Sequence, residues 1–273
     1  MYKTLISWTN HTWNFLVGCT KCAGGCLYCF AAGIAARFSG PGLYAEGTAK
    51  HTPTGANWTG IIRVMNNHMD DPLHWRKPSR IFVNSMSDTF HEGVPLEVID
   101  RAFDVMERAP WHTFLVLTKR SKRMLEYVSA RYKGRKYPDH IWLGVSVCEK
   151  ADLPKVMDLI QSPASVRFLS CEPLIGPLTL PKQVIDGIQW VIVGGESGVH
   201  SRPMRTEWAT SLRDQCQNAG IAYFFKQYGS VDANGIRQRG HHWAGHNLLN
   251  GRKWEQFPTS PSPVSTTAAE VRS

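Results

Sequence analysis

Between Arg80 and Lys226 the chain alternates short, fully apolar runs with amphipathic stretches, and this alternation restricts the fold more than any other feature. Residues 81–84, 113–118, 141–146, 166–170, 190–194 and 221–226 read as strands. Residues 95–108 place Leu96, Ile99, Phe103 and Met106 at helical spacing behind Pro95, and further helices are expected at 121–130, 152–161 and 207–218, the last ending at Gly220. Strands that are apolar on both faces belong to a parallel sheet covered on both sides. The run 13–18 upstream brings the count to about seven β/α units, so the expected fold is an α/β single-domain partial (β/α) barrel of about six to seven units, with a doubly wound open sheet as the alternative. A helix at 30–38 should stop at Ser39-Gly40-Pro41-Gly42. Residues 43–79, rich in Gly, Thr and Pro, read as a long excursion with at most a short helix near 61–67. The domain is expected to span 1–257, and 258–273, rich in Pro, Ser and Thr, to be disordered.

No apolar run approaches the ~18–20 residues of a membrane span, and the N-terminus lacks the apolar region of a signal peptide. A cytoplasmic protein with no membrane partner is expected. Lys and Arg outnumber Asp and Glu by 31 to 22, a formal charge of +9, which favours a polyanionic partner such as nucleic acid or a nucleotide. Basic runs at 119–123, 131–136 and 237–242 suit phosphates, and Trp8, Trp13, Trp58 and Trp75 suit stacked bases, although such runs also occur on plain solvated surfaces. No Walker-type loop or G-x-S-x-G elbow is present.

Four of the seven cysteines, Cys19, Cys22, Cys26 and Cys29, fall in one eleven-residue stretch, while Cys148, Cys171 and Cys216 stand alone. An odd total without a secretion signal argues against a disulfide framework. Three uses remain. Structural zinc is disfavoured because its C-x2-C pairs are usually about 12 or more residues apart. An iron–sulfur cluster suits thiolates on one flexible loop, with Gly24 and Gly25 letting the loop wrap closely. Packing as small hydrophobes is the third. Parallel α/β folds gather ligands at the carboxyl ends of their strands. Those ends here carry Asn84 to Asp88, Thr118-Lys119-Arg120, Ser146 with Cys148 and Glu149, Ser170 with Glu172, Gly194-Gly195-Glu196, and Lys226-Gln227. His91 is a further candidate for substrate contact, and His241, His242 and His246 form a weak metal-binding pattern.

The spacing Cys22-x3-Cys26-x2-Cys29, with Tyr28 before the last cysteine, resembles the cluster signature of radical S-adenosylmethionine enzymes. More of the chain, from about Ile6 to Tyr228, resembles the phage Gp37/Gp68 three-cysteine family. The stretches that carry this are 7–14, 18–21, RIFVNSMSDTF (80–90), 116–120, WLGVSV (142–147), RFLSCEP (167–173), VIVGGESG (191–198) and 224–227. That family's C-x6-C-x2-C pattern maps to Cys19, Cys26 and Cys29. Two ligand triads are thus written in one loop, and the Cys19 set is preferred, with Cys22 as the alternative ligand.

The resemblance implies a 4Fe-4S cluster held by three cysteines, S-adenosyl-L-methionine on the fourth iron, and a 5′-deoxyadenosyl radical that abstracts hydrogen from substrate. With the basic charge, it suggests a radical S-adenosylmethionine-type enzyme that modifies or repairs a nucleic-acid base or nucleotide, in the bacterial host cytoplasm if phage-encoded. An electron donor such as flavodoxin or ferredoxin would be its partner. Lys119, Asp88 and Glu172 are then the candidate catalytic residues. Tyr28, Ser170, Gly194, Gly195, Glu196 and Lys226 are the candidate cofactor contacts, Tyr28 near the adenine. The Gly-Gly-Glu stretch follows a late strand here, whereas in classical radical enzymes it follows the second. Two rivals stand beside this reading: a zinc- or cluster-stabilised nucleic-acid-binding protein without catalysis, and a metal-independent barrel using Glu172 and Glu196 as acid and base.

Overall fold

The first strand, β1 (His11–Trp13), lies at one edge of a parallel sheet. It is followed by β2 (Leu16–Val17), α1 (Phe30–Arg37), β3 (Ala49–Thr52), β4 (Gly55–Trp58), β5 (Arg63–Val64) and α2 (Asp71–His74). The regular part then runs β6 (Arg80–Val83), α3 (Leu96–Arg108), β7 (Thr113–Thr118), α4 (Ser121–Arg131), β8 (Ile141–Ser146) and α5 (Pro154–Gln161). It ends with β9 (Arg167–Cys171), α6 (Lys182–Gly187), β10 (Trp190–Gly194), α7 (Thr206–Ala219) and β11 (Ala222–Gln227). The structure is a computed structural model that describes residues 4–53, 55–240 and 242–259. The expected disordered tail falls mostly on 260–273, outside the described residues.

Seven strands form one sheet in the order β1-β6-β7-β8-β9-β10-β11. Every pairing in it is parallel. The sheet is curled into a half-barrel flanked by helices, in line with the expected partial (β/α) barrel.

Alternation along each strand divides the core in two. Val83, Val116, Val145, Leu169, Val193 and Phe225 belong to the large core shared with the helices. Their neighbours Phe82, Leu115, Trp142, Phe168, Trp190 and Phe224 form a second cluster on the opposite face. Trp190 is its hub, with ring centroids 6.4 Å from Trp8, 6.1 Å from Trp142, 5.7 Å from Phe168 and 5.3 Å from Phe257. Trp8 comes from the segment before β1 and Phe257 from near the end of the described residues, so segments far apart in sequence close this inner cluster. It is a packed plug, and the polar groups that alternate with it lie toward the carboxyl ends of the strands.

Two sequence expectations are corrected here. The run 13–18 is not one strand: β1 ends at Trp13, and Leu16–Val17 pairs antiparallel with Arg63–Val64 in a separate two-stranded sheet. Residues 43–79 are more than a long excursion with at most a short helix. Ala49–Thr52 and Gly55–Trp58 form an antiparallel hairpin. α1 rests on it through Ala35 and Ala36, packed with Ala45, Ala49 and the half-buried Trp58. Small residues permit this close approach, and they weaken the apolar periodicity by which strands and helices are recognised.

Gly144 pairs in register with Phe168, and a Cβ on it would lie 2.4 Å from that ring. Gly144→Ala must therefore push Phe168 into the plug. It is expected to destabilise the fold by about 1–3 kcal/mol, read as a lower urea midpoint at unchanged m. An unchanged midpoint would show that the inner cluster has room to give.

Candidate functional site

The loop between β2 and α1 carries the four clustered cysteines over the carboxyl ends of β6 and β7. Its entry is fixed by the fold: the Gly18 amide donates to Met86 O at 3.1 Å, and Ser87 Oγ donates to Gly18 O at 2.6 Å. Cys19, Cys22, Cys26 and Cys29 then line one cavity of about 140 Å³ together with Asn84, Asp88, Lys119, Arg120, Ser146 and Trp58. The glycines of the loop serve packing. A Cβ on Gly25 would lie 2.3 Å from Cys148 Sγ, and one on Gly24 2.2 Å from Glu149 Oε1, so the loop is pressed against the end of β8.

Asp88 organises the cavity wall. Its Oδ1 accepts from Thr118 Oγ1 at 2.7 Å and the Phe90 amide at 2.9 Å. Its Oδ2 accepts from the Lys119 amide at 3.0 Å and Arg120 Nη1 at 3.1 Å. Arg120 extends this outward, donating to Glu92 Oε2 at 2.8 Å, to Thr20 Oγ1 at 2.8 Å and, at 3.9 Å, to Cys19 Sγ. Asp88, a candidate catalytic residue by sequence, thus has four donors on its two oxygens. Arg120, which the sequence offered as a strand-end residue and as part of a basic run, is the link between that carboxylate and the cysteine loop.

Lys119 is partly buried and its Nζ donates to Ser146 Oγ at 3.0 Å. Burial works against its ammonium, but Cys148, Cys26, Cys29 and Asp88 together hold its pKa above the ordinary value. The thiols respond in different ways. Burial pushes Cys19 up to about 11, against the pull of Arg120, and burial raises Cys148 to about 12. Cys26 is lowered, first by a hydrogen bond from Cys22, which is raised in turn as the donor. Cys22 is exposed whereas Cys19 is held against Arg120.

Across the inner face, Ser146 pairs in register with Ser170, whose Oγ donates to Glu172 Oε2 at 3.3 Å. Glu172 also accepts from Trp8 Nε1 at 3.2 Å and pairs with Lys226 Nζ at 2.8 Å. Polar groups therefore follow one another from Lys119 on the β7 side to Lys226 on β11, above the aromatic plug. The remaining candidates serve the loops. Gly195 closes on Tyr228, where a Cβ would lie 1.8 Å from its carbonyl oxygen, and a Cβ on Gly194 would lie 2.9 Å from Glu172 Oε1. Glu196 is engaged by Arg202, whose Nη2 donates to its Oε1 at 2.7 Å and also to Gly24 O at 3.1 Å. Tyr28 packs beside Arg202 and His200, the guanidinium 5.6 Å and the imidazole centroid 5.7 Å from its ring. Of the sequence candidates, the structure brings the four cysteines, Asp88 and Lys119 to one cavity. Ser170, Glu172 and Lys226 adjoin it, and Glu196 and Tyr28 clamp the cysteine loop. His242 and His246 lie 3.4 Å apart, ring nitrogen to ring nitrogen, and His241 is outside the described residues.

Among the described residues, no three His, Cys, Asp or Glu side chains are grouped tightly enough for a single metal ion. The donor set of the cavity is nonetheless chemically suited to an iron–sulfur cluster: several thiols on one loop, with two cations beside them to offset thiolate charge. No helix among the described residues is long and apolar enough to cross a membrane.

A half-barrel with thiols, a partly buried lysine and a buried arginine at the carboxyl ends of its strands defines the class of site. Residues 3–258 match the model of a family described as protein of unknown function (DUF5131), and the chain belongs to that family. Comparison with curated proteins gave no match, and comparison with solved structures gave none.

His91 supports the cavity from behind. Its Nδ1 accepts from the Gly93 amide at 3.0 Å and its Nε2 lies 2.9 Å from Thr20 Oγ1, an arrangement that fixes the neutral tautomer with hydrogen on Nε2. Burial, reinforced by Arg120, lowers its pKa. A lowered folded-state pKa means the unfolded chain binds more protons, so this contribution is complete above the unfolded value of about 6.5 and is lost as the pH falls below it. Urea midpoints are expected to drop between pH 7.5 and 5.5, and His91→Gln to reduce that drop. An equal drop in the variant would assign the loss to other groups, such as the buried His112.

Proposed function

We propose that this protein is a radical S-adenosylmethionine-type iron–sulfur enzyme. The observation that carries the reading is the shared cavity in which Cys19, Cys26 and Cys29 meet Lys119 and Arg120 at the strand ends of a half-barrel. The resemblance of the cysteine spacing and of the longer sequence stretches to the phage Gp37/Gp68 three-cysteine family and to radical enzymes supports it. When bound, a 4Fe-4S cluster with one open iron would supply an electron to S-adenosyl-L-methionine, whose cleavage yields the 5′-deoxyadenosyl radical.

The chain's own residues have definable tasks. Cys19, Cys26 and Cys29 would hold the cluster. Cys19 is preferred over Cys22 because Arg120 and the anchored Gly18 fix its position, whereas Cys22 is exposed. Lys119 and Arg120 place positive charge beside the thiolates and stabilise them against protonation. Asp88 holds both basic residues in place through the Lys119 amide and the Arg120 guanidinium, and it acts as a positioning residue. Glu172 and Lys226, with Ser170, offer hydrogen-bonding groups to the polar ends of the cofactor or substrate. The aromatic plug beneath excludes water from the floor of the site, as radical chemistry requires. The substrate is a nucleic-acid base or nucleotide, a reading supported by the net charge of +9. A small electron-transfer protein would supply the reductant.

The test is anaerobic reconstitution with iron and sulfide, reduction with dithionite, and assay of 5′-deoxyadenosine from S-adenosyl-L-methionine. The wild-type protein and Cys22→Ala are expected to form it, and Cys19→Ala, Cys26→Ala and Cys29→Ala to lose it at least a hundredfold. A fully loaded protein that forms none would overturn the reading.

A further inference from the structure

From Thr4 to Met69 the sequence contains a single carboxylate, Glu46, against four Lys and Arg residues. Glu46 pairs with Arg63 at 3.2 Å. Lys21, Arg37 and Lys50 are exposed and, among the described residues, make no ion pair. The same lobe, built from the cysteine loop, α1 and the β3–β4 hairpin, carries six of the eleven exposed large hydrophobic side chains among the described residues, so apolar exposure is concentrated where positive charge is uncompensated. Three of the six are rings: Phe30, Phe38 and Tyr44.

Helical spacing puts Phe30, Ile34, Arg37 and Phe38 on one side of α1 and its end, opposite Ala32, Ala35 and Ala36, which are buried. Phe38 and Tyr44 lie with ring centroids 5.5 Å apart. At the inner edge of the lobe, Trp58 lines the thiol cavity beside Cys29 and Ala31. Arg37 shares the exposed side of α1 with Phe30, Ile34 and Phe38, whereas Lys50, next to the buried Ala49, lies on the face of the hairpin turned away from α1. Exposed rings with an unpaired cation among them are a surface on which bases stack while phosphates are neutralised. A protein partner of ordinary composition would not require unpaired cations beside the rings, and a second copy of this chain would bring like charge against like.

We infer that this lobe binds a single-stranded polynucleotide, its bases stacked on Phe30, Phe38 and Tyr44 and its phosphates met by Lys21 and Arg37, with Trp58 placed to take a base at the cavity edge. The inference rests on the proposed function for the use made of the strand, but the binding itself needs no cluster. It assigns the substrate class to a strand rather than a free nucleotide.

The experiment is fluorescence anisotropy with a labelled 15-nucleotide strand, as DNA and as RNA of the same sequence, and with the corresponding duplex. It uses the full-length chain before and after anaerobic iron–sulfur reconstitution. Single strands are expected to bind at least tenfold more tightly than duplex. Phe30→Ala and Phe38→Ala should each weaken binding about tenfold. Joint replacement of Lys21 and Arg37 by Ala should flatten the dependence of log K on log salt by about 1.4, because each phosphate neutralised on a single strand adds ~0.7 to that slope. Lys182→Ala, which removes a cation paired with Asp186 on α6, should bind as wild type. All these side chains are exposed, and circular dichroism checks that each variant is folded. Equal affinity for strand and duplex, or wild-type affinity in the ring variants, would overturn the inference. So would sedimentation showing a dimer abolished by Phe30→Ala with no strand bound, which would assign the face to a second copy. A chain that forms 5′-deoxyadenosine yet binds no strand keeps the catalytic reading and loses this one. Strand binding without 5′-deoxyadenosine does the reverse.

Discussion

Asp88 commits both carboxylate oxygens to the end of β7, and the rest of the site depends on it. Thr118, the Lys119 amide and Arg120 all donate to it, so the last residues of that strand and the turn that follows are held in one conformation. Arg120 then reaches Thr20 and Cys19, and the cysteine loop is fastened to the sheet by a charge that is itself neutralised. A buried guanidinium without its carboxylate would be strongly destabilising. The loop that carries the thiols and the fold that supports it are in this way one electrostatic unit, and the position of Cys19 follows from the position of Asp88.

The second constraint is the curl of the sheet. With helices on the outer face, alternation sends every other side chain inward, where space falls with curvature. The lower layers are filled by Trp142, Phe168, Trp190 and Phe224, closed by Trp8 and Phe257 from segments far apart in sequence. Only near the strand ends do inward positions become polar: Lys119, Ser146, Ser170, Glu172 and Lys226. Lys226 owes its place partly to a shift of register between β10 and β11, where Val193 pairs with Phe225 but Gly194 with Gln227. The site is thus a polar layer on an apolar floor, covered by the cysteine loop, which Arg202 ties to Glu196.

Much of this was legible in the sequence because it follows from periodicity. The strands at 113–118, 141–146 and 190–194 carry continuous apolar runs, and they appear in the structure with the same bounds. Reading polar residues off the ends of those strands brought Asp88, Lys119 and the thiols to one place. The lobe at 43–79 was hidden because its strands are short, contain Ala, Lys, His and Gly, and are stabilised by α1 rather than by an apolar face of their own. α6 was hidden for a similar reason, its six residues being too few to show a period. Arg120 was placed at a strand end, but neither its bridging role nor Arg202 could be singled out, since a charged residue in a loop looks the same in sequence whether it is solvated or bridges two loops. The pairing of Glu196 with Arg202 was equally invisible, because its Gly-Gly-Glu context carries no sign of a partner six residues on.

Low-temperature electron paramagnetic resonance of the anaerobically reconstituted, dithionite-reduced protein, recorded with and without S-adenosyl-L-methionine, tests the central claim most directly. A reduced four-iron signal that changes shape and g values when the cofactor is added is the expected result, because an iron without a cysteine ligand must be open to it. Stoichiometric zinc bound by the thiols, with no cluster formed on reconstitution, would contradict it and leave the cysteine loop a structural clip.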